Sequence, residues 1–366
     1  MSGASSSAAG WSSLLEPASL PQNIVRRPDD PRLMDAVDFW DGNAAALTPG
    51  RAVLLGFPQD EGVRRNHGRP GAAKAPDEIR SYLYRLTPWA FRTKVHLLGY
   101  RPLDLGNLRI ASGNGDSGKG VRPLEFRGSD PFSAVPVSGR EGTLEETQQA
   151  LGLVIGAILQ TGAIPLVLGG GHETAYGHYL GYLAAGKPVG IINLDAHLDV
   201  RPWEKGQGHS GSPFRQALEH PRTPLPGEGY VCLGAQPHSV SQAHWLYTQE
   251  KGCVVVWAYQ LRRCLRKRFR QEYQRLAAKS QVYVSLDADV VRAADVPGVS
   301  APNPAGLTGN QLLACARLAG SCPRVASFDL VEINPCLDPD GRSARWAALA
   351  VWHFLVGLAL RLNPRG

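Results

Sequence analysis

The sequence predicts an α/β fold with a mainly parallel sheet covered by helices on both faces, and three observations carry that prediction. Short β-branched runs recur with helix-length segments between them, as crossover connections require. The run IPLVL at 164–168 is apolar without a break, as a strand buried on both faces must be. Several runs end in His, Asp or Glu, at the sheet edge where open α/β folds bind ligands.

About eight candidate strands are legible: Ala52–Phe57, Lys94–Tyr100, Ala163–Leu168, Val189–Leu194, Tyr230–Leu233, Cys253–Trp257, Val282–Leu286 and Val325–Leu330. Residues 1–40 read as an N-terminal extension, partly disordered, because MSGASSSAAG lacks the basic start and long apolar run of a signal peptide. Residues 41–366 read as a single domain. A Gly/Ser/Pro-rich surface insertion near 110–142 interrupts it, and its two flanks need each other for the sheet. The apolar run Trp346–Leu360 is 15 residues long, shorter than the roughly 20 of a membrane span. It reads as a buried C-terminal helix, so no membrane span is expected.

A chain of 366 residues, 43% hydrophobic and 19% charged, can bury a core without disulfides or a structural metal. Its six cysteines form no Cys-x-x-Cys pair, which points to a reduced, cytoplasmic setting. The formal charge of +7 raises polyanions as partners. Between Leu261 and Lys279 stand eight Lys/Arg and one acid, Glu272, so this stretch alone carries +7. Leu261, Leu265, Phe269, Tyr273 and Leu276 recur at helical spacing, which makes it an amphipathic helix with a solvated basic face. Nucleic acid is therefore not the expected partner.

The chemistry-bearing residues sit at strand ends. LVLGGGHE delivers His172 after a Gly-rich turn that lacks the continuation of a phosphate-binding loop. IINLDAHLDVR supplies Asp195, His197 and Asp199, and VYVSLDADVV supplies Asp287 and Asp289. Residues two apart on an extended chain point the same way, so each set is expected to converge. Four carboxylates at one edge repel unless a cation lies among them. Two imidazoles with four carboxylates suit manganese, iron, cobalt or nickel, and are too carboxylate-rich for structural zinc. Two such ions about 3.5–4 Å apart would use every ligand. Ligands, two divalent ions and a hydroxide sum to about −1, which favours a neutral or cationic substrate head. FDLVEINP then places Glu332 past another strand, where its carboxylate can pair with a cationic amidine through two hydrogen bonds.

GGGHE, DAHLD, SLDAD and VEINP, in this order across roughly 51–360, resemble the ureohydrolase superfamily of arginases, agmatinases and formimidoylglutamases. The resemblance implies a three-layer α/β/α fold with an eight-stranded sheet, a dinuclear manganese centre, and hydrolysis of a C–N bond in a guanidino or imino group. It assigns His172 and Asp199 to one metal, His197 and Asp289 to the other, and Asp195 and Asp287 to both. Asp199 would move the proton from the attacking oxygen to the leaving nitrogen, and Glu332 would hold the cationic nitrogen. A homo-oligomer is also implied.

DEGVRRNHGRPGAAKAPDEIR, from Asp60 to Arg80, resembles the formimidoylglutamase signature, and Asn66 and Arg69 match its motif. In HSGSPF, Ser210 stands where formimidoylglutamases have Ser and agmatinases His, while His209 departs from the pattern and could supply an imidazole. A glutamate product needs cations for two carboxylates. Arg64, Arg65 and Arg69, with Arg215, Arg342 and Arg345, are available. The expected substrate is N-formimino-L-glutamate, yielding L-glutamate and formamide. The alternatives are an agmatinase or arginase-like enzyme, a guanidine or guanidino-acid hydrolase releasing urea or ammonia and using nickel, or an inactive or nucleic-acid-binding relative.

Overall fold

The computed structural model describes residues 8–22, 24–25, 27–110, 124–126, 134–136, 143–203 and 206–362. The sheet strands are β1 (Leu15–Glu16), β2 (Asp38–Phe39), β3 (Ala52–Gly56), β4 (Leu103–Leu108), β5 (Ile164–Leu168), β6 (Val189–Leu194), β7 (Tyr230–Ala235), β8 (Val254–Trp257), β9 (Gln281–Asp287) and β10 (Val325–Val331). Their order is β1-β4-β3-β5-β10-β9-β6-β7-β8, with β2 beside β4. Every pairing is parallel except β1 with β4 at the edge.

The helices that matter below are α1 (Glu61–Arg65), α2 (Ala75–Leu83), α3 (Leu144–Gln160), α4 (Thr174–Ala184), α5 (Pro213–Leu218), α6 (Leu265–Ala277), α7 (Gly309–Ser321) and α8 (Arg342–Leu362). Strand alternation divides the interior into two cores. Leu54, Leu166, Ile192, Val284 and Phe328 face α2, α6, α7 and α8. Val53, Val167, Ile191, Cys232 and Tyr283 face α3, α4 and α5. The result is the three-layer α/β/α arrangement.

Among the described residues the sheet has ten strands instead of the expected eight. β1 and β2 are two-residue edge strands, too short to leave a pattern. The segment read as a strand at 94–100 instead splits into Val95–His96, paired with Trp89–Ala90 in a separate hairpin, and a turn at Leu97–Gly99. The sheet strand in this region is β4, LDLGNL, whose Asp104, Gly106 and Asn107 break any apolar alternation. These polar groups are satisfied from α2. The fully buried guanidinium of Arg80 donates to Asp104 at 2.8 and 2.9 Å, to Asn107 at 2.7 Å and to the Gly106 carbonyl at 2.8 Å, and the Tyr84 hydroxyl also donates to Asp104. Gly106 lies at φ +83 against the Glu16 carbonyl of β1, so a side chain there would be strained and would collide.

Part of the expected N-terminal extension packs on the domain. Trp11, Leu14 and Leu15 join the second core, and Leu33 and Ala36 the first. Most of the expected insertion at 110–142 lies outside the described residues; within it, Leu124–Phe126 and Ala134–Pro136 pair antiparallel. α8 is long and apolar enough to cross a membrane by composition, but 72% of its apolar window is buried inside the protein. It is the core helix expected from the sequence. Within the basic stretch the helix is α6, preceded by a turn at 262–264 that follows the short helix Ala258–Leu261. Leu261, Leu265, Phe269 and Leu276 are buried and Tyr273 partly so.

Candidate metal centre

The four adjacent strands β5, β10, β9 and β6 bring their carboxyl ends together. His172 follows β5, Glu332 follows β10, Asp287 ends β9 with Asp289 two residues on, and Asp195 follows β6. Convergence does not come from strand alternation, as expected above. Residues 195–201 lie in a turn beyond β6, and Asp289 sits in a single helical turn, Ala288–Val290. Bends, not an extended backbone, aim these side chains inward. Asp199 and Glu332 stand at φ +48 and +67. The left-handed region is costly for side chains other than Gly or Asn/Asp, and such positions gather where geometry serves function.

The ligand atoms form two sets that share Asp195: His172, Asp195, Asp199 and Asp287 in one, and Asp195, His197 and Asp289 in the other, each within 4.8 Å of one another. The Nδ1 of His172 lies 2.8 Å from Asp199, 3.0 Å from Asp287 and 3.3 Å from Asp195. The Nδ1 of His197 lies 3.0 Å from Asp289 and 3.6 Å from the other oxygen of Asp195. Asp287 enters the first set through Oδ2, while its Oδ1 accepts the Asp289 N–H at 2.8 Å.

The buried support of His172 sets its tautomer. Ser285 Oγ donates to Asp329 at 2.6 Å and so accepts from the His172 Nε2–H at 3.1 Å. The Asp329 carboxylate also receives the Tyr283 hydroxyl and lies 3.0 Å from His178. The Nδ1 lone pair of His172 is thereby directed at three carboxylates. It is buried with no hydrogen-bond partner, as is Oδ1 of Asp289. Lone pairs converging in this way need a cation, so the donor set fits divalent metal.

The electrostatics carry the same demand. Burial would lower the pKa of His172, but the carboxylates of Asp195, Asp199 and Asp287 overcome it and hold the pKa well above the usual value. Asp289 raises that of His197. Burial and neighbouring carboxylates push Asp287 and Asp289 up. Burial pushes Glu332 up to about 8, although its Oε1 accepts the His172 backbone N–H at 2.8 Å. Cations at the cluster would favour the ionised forms of all three carboxylates. Because Ser285 orients His172, Ser285→Ala is expected to weaken metal affinity about 10- to 100-fold, measured by competition with a chelating dye. An unchanged affinity would remove Ser285 from that role.

The expected substrate-binding residues lie in the loops flanking this edge. Asn66 donates to Ser210 Oγ at 3.0 Å, and the Ser210 N–H donates to the Gly62 carbonyl, which ties the two loops together. Arg69 gives its Nε and Nη2 donors to the carbonyls of Val299 and Ser300, so these donors brace a loop. His209 accepts the Gly211 N–H on Nδ1 at 3.2 Å, which leaves Nε2–H to donate to the Pro202 carbonyl at 3.1 Å. Both ring nitrogens are engaged, and burial lowers its pKa. The imidazole expected to be free for proton transfer is therefore held by backbone.

The other expected cations are also occupied. Arg64 pairs with Glu61, Arg65 with Glu145, Arg215 with Glu219 and Arg342 with Asp340, and Arg345 stacks on Tyr82. Sequence reasoning missed Arg201. Its exposed guanidinium has no partner among the described residues, and it flanks Gly211 together with Asn66. It also helps to lower the pKa values of His209 and His244. A cation two residues after Asp199 in DAHLDVR was the available signal. Glu173, next to His172, was missed as well. Fully buried, it accepts the Gly62 N–H at 2.8 Å and anchors α1 against the His172 turn.

A family model described as the Arginase family matches residues 50–357. Among curated proteins, a formimidoylglutamase of Geobacillus thermodenitrificans is 36% identical over 325 residues, covering 87% of this chain and 88% of that protein. Among solved structures, the Trypanosoma cruzi formiminoglutamase with Mn2+ is 30% identical with a TM-score of 0.76, covering 91% of this chain and all of that one. The formimidoylglutamase of Bacillus subtilis has a TM-score of 0.77 at 24% identity, covering 92% and 95%, and supports the fold.

Proposed function

The chain belongs to the arginase family, and on that premise we propose that it hydrolyses N-formimino-L-glutamate to L-glutamate and formamide. The observation that carries this reading is the pair of ligand sets joined by Asp195, with buried Glu332 held against the His172 turn. His172, Asp195, Asp199 and Asp287 would hold one divalent cation, and Asp195, His197 and Asp289 the other; manganese suits the carboxylate-rich set. When bound, two such cations neutralise the carboxylates and acidify water enough for attack near neutral pH.

The remaining work falls to this chain's own groups. Glu332 pairs with the cationic amidine nitrogen in a buried setting, where the ionic hydrogen bond is strong and the reacting carbon is held still. Asp199, fixed by its turn, takes the proton from the attacking water and delivers it to the glutamate nitrogen as the C–N bond breaks. Arg201 supplies the cation that a substrate carboxylate requires, with Asn66 beside it. Arg201→Ala is expected to raise KM about 10- to 100-fold, with a smaller change in kcat, because the contact is remote from the reacting carbon. A fall in kcat at unchanged KM would contradict that placement.

Product analysis tests the reaction. Formamide and glutamate from N-formimino-L-glutamate are expected, without urea from agmatine, arginine or guanidine. Urea as the principal product would overturn the reading. A homo-oligomer in the cytoplasm belongs to the same proposal, and the six free cysteines fit a reducing compartment.

A further inference from the structure

We propose that the groove between α6 and α7 binds a small molecule carrying several contiguous phosphates. It encloses about 890 Å³, and no carboxylate among the described residues lines it. Arg262 and Arg263 enter from the turn before α6, Arg266 and Arg270 from α6, Arg317 from α7, and Arg92 from the 89–96 hairpin. None of these cations has an acidic partner among the described residues. Several other arginines of this chain have acidic partners, as in Arg51 with Asp38, Arg101 with Asp38, and Arg268 and Arg275 with Glu272. Even within α6 the pairing divides the helix, because the single acid Glu272 is buried between Arg268 and Arg275 and leaves the groove side uncompensated.

A second observation concerns the backbone donors at the α6 terminus. The α6 N-terminus has Cys264 at its cap position with no side-chain cap, and no acid in its first turn. Arg266 and Lys267 stand there instead. Cations at the positive end of a helix dipole are unfavourable, and the uncapped N–H groups of a first turn seek an acceptor. α7, by contrast, is closed by a Thr308–Gln311 capping box. An anion in the groove would relieve the repulsion and satisfy the α6 terminus at once. Local rules broken together at one place are expected where a ligand restores the balance.

The shape selects the size of the ligand. Cations converge from three elements around a hollow whose volume lies in the range of small-molecule pockets. Nucleic acid would instead call for a stripe that tracks a backbone. Nucleoside triphosphates and inorganic tripolyphosphate share the required chemistry, and guanidinium groups match phosphate oxygens bidentately.

The test is calorimetric titration of the metal-loaded protein with tripolyphosphate and with ATP at physiological salt, with hydrogen exchange to locate the site. Saturable binding is expected, with slowed exchange over 262–270 and 310–318 and none over 169–199. The exposed triple substitution Arg263→Ser, Arg266→Ser, Arg270→Ser should weaken binding at least about tenfold, while Lys251→Ser, on another surface, should not. Tighter binding of ATP would identify a nucleotide ligand, and equal binding an inorganic one. The proposal is overturned if neither ligand binds, if the triple variant binds equally well, if protection appears at the metal-ligand turns instead, or if a DNA duplex or phosphatidylserine vesicles bind the groove more tightly than either ligand.

Discussion

Asp195→Asn is expected to empty both metal positions and to lower kcat/KM by more than about 100-fold, the most that a supporting residue around a metal ordinarily costs. Asp195 is the one residue common to the two ligand sets. Its surroundings make the amide a poor replacement beyond the lost charge. Oδ2 accepts the Asn193 side-chain amide at 2.9 Å, and Oδ1 accepts the His197 backbone N–H at 2.7 Å. An asparagine must place its own NH2 against one of these donors in a fully buried site. Unsatisfied buried donors cost about 1–3 kcal/mol, so part of the loss will show as a lower Tm. Metal analysis beside a thermal melt separates the effects. A folded variant that retains both ions and activity within tenfold would contradict the shared-ligand account.

Glu332→Gln is expected to act in the opposite way, retaining metal while kcat falls about 10²- to 10³-fold, the usual cost of losing a charge-stabilising group. Glu332 belongs to neither ligand set. A glutamine oxygen can still accept the His172 backbone N–H, and the Glu332 backbone N–H still donates to the Gly170 carbonyl at 2.8 Å. The turn should therefore keep its shape, and only the charge opposite the amidine is lost. Metal stoichiometry together with single-turnover rates checks this. A rate within about threefold of the parent would show that Glu332 does not pair with the reacting group.

These two residues illustrate what the sequence made legible. His172, Asp195, Asp287 and Glu332 stand at or within four residues of the ends of apolar strands, and that position marked them. The reason given for their convergence was incomplete. Alternation along a strand would place Asp195, His197 and Asp199 on one side, whereas a turn with Asp199 at φ +48 does so in the structure. β4 was illegible because Asp104 and Asn107 are satisfied by Arg80, more than twenty residues earlier, and no local pattern reveals such a partner. For the same reason composition overcounted the carboxylate-binding arginines. Arg65 meets Glu145 and Arg69 meets the 299–300 backbone only in the folded chain, which leaves Arg201 as the cation without a partner beside Asn66 among the described residues.

The central claim is that one sheet edge holds two divalent cations on six side chains. Metal stoichiometry of the purified chain, loaded with manganese and freed of excess, tests it most directly. The account predicts two ions per chain, and one ion after His197→Ala, which removes a ligand from the second set alone. A single ion in the parent protein, or a stoichiometry unchanged by that substitution, would contradict it.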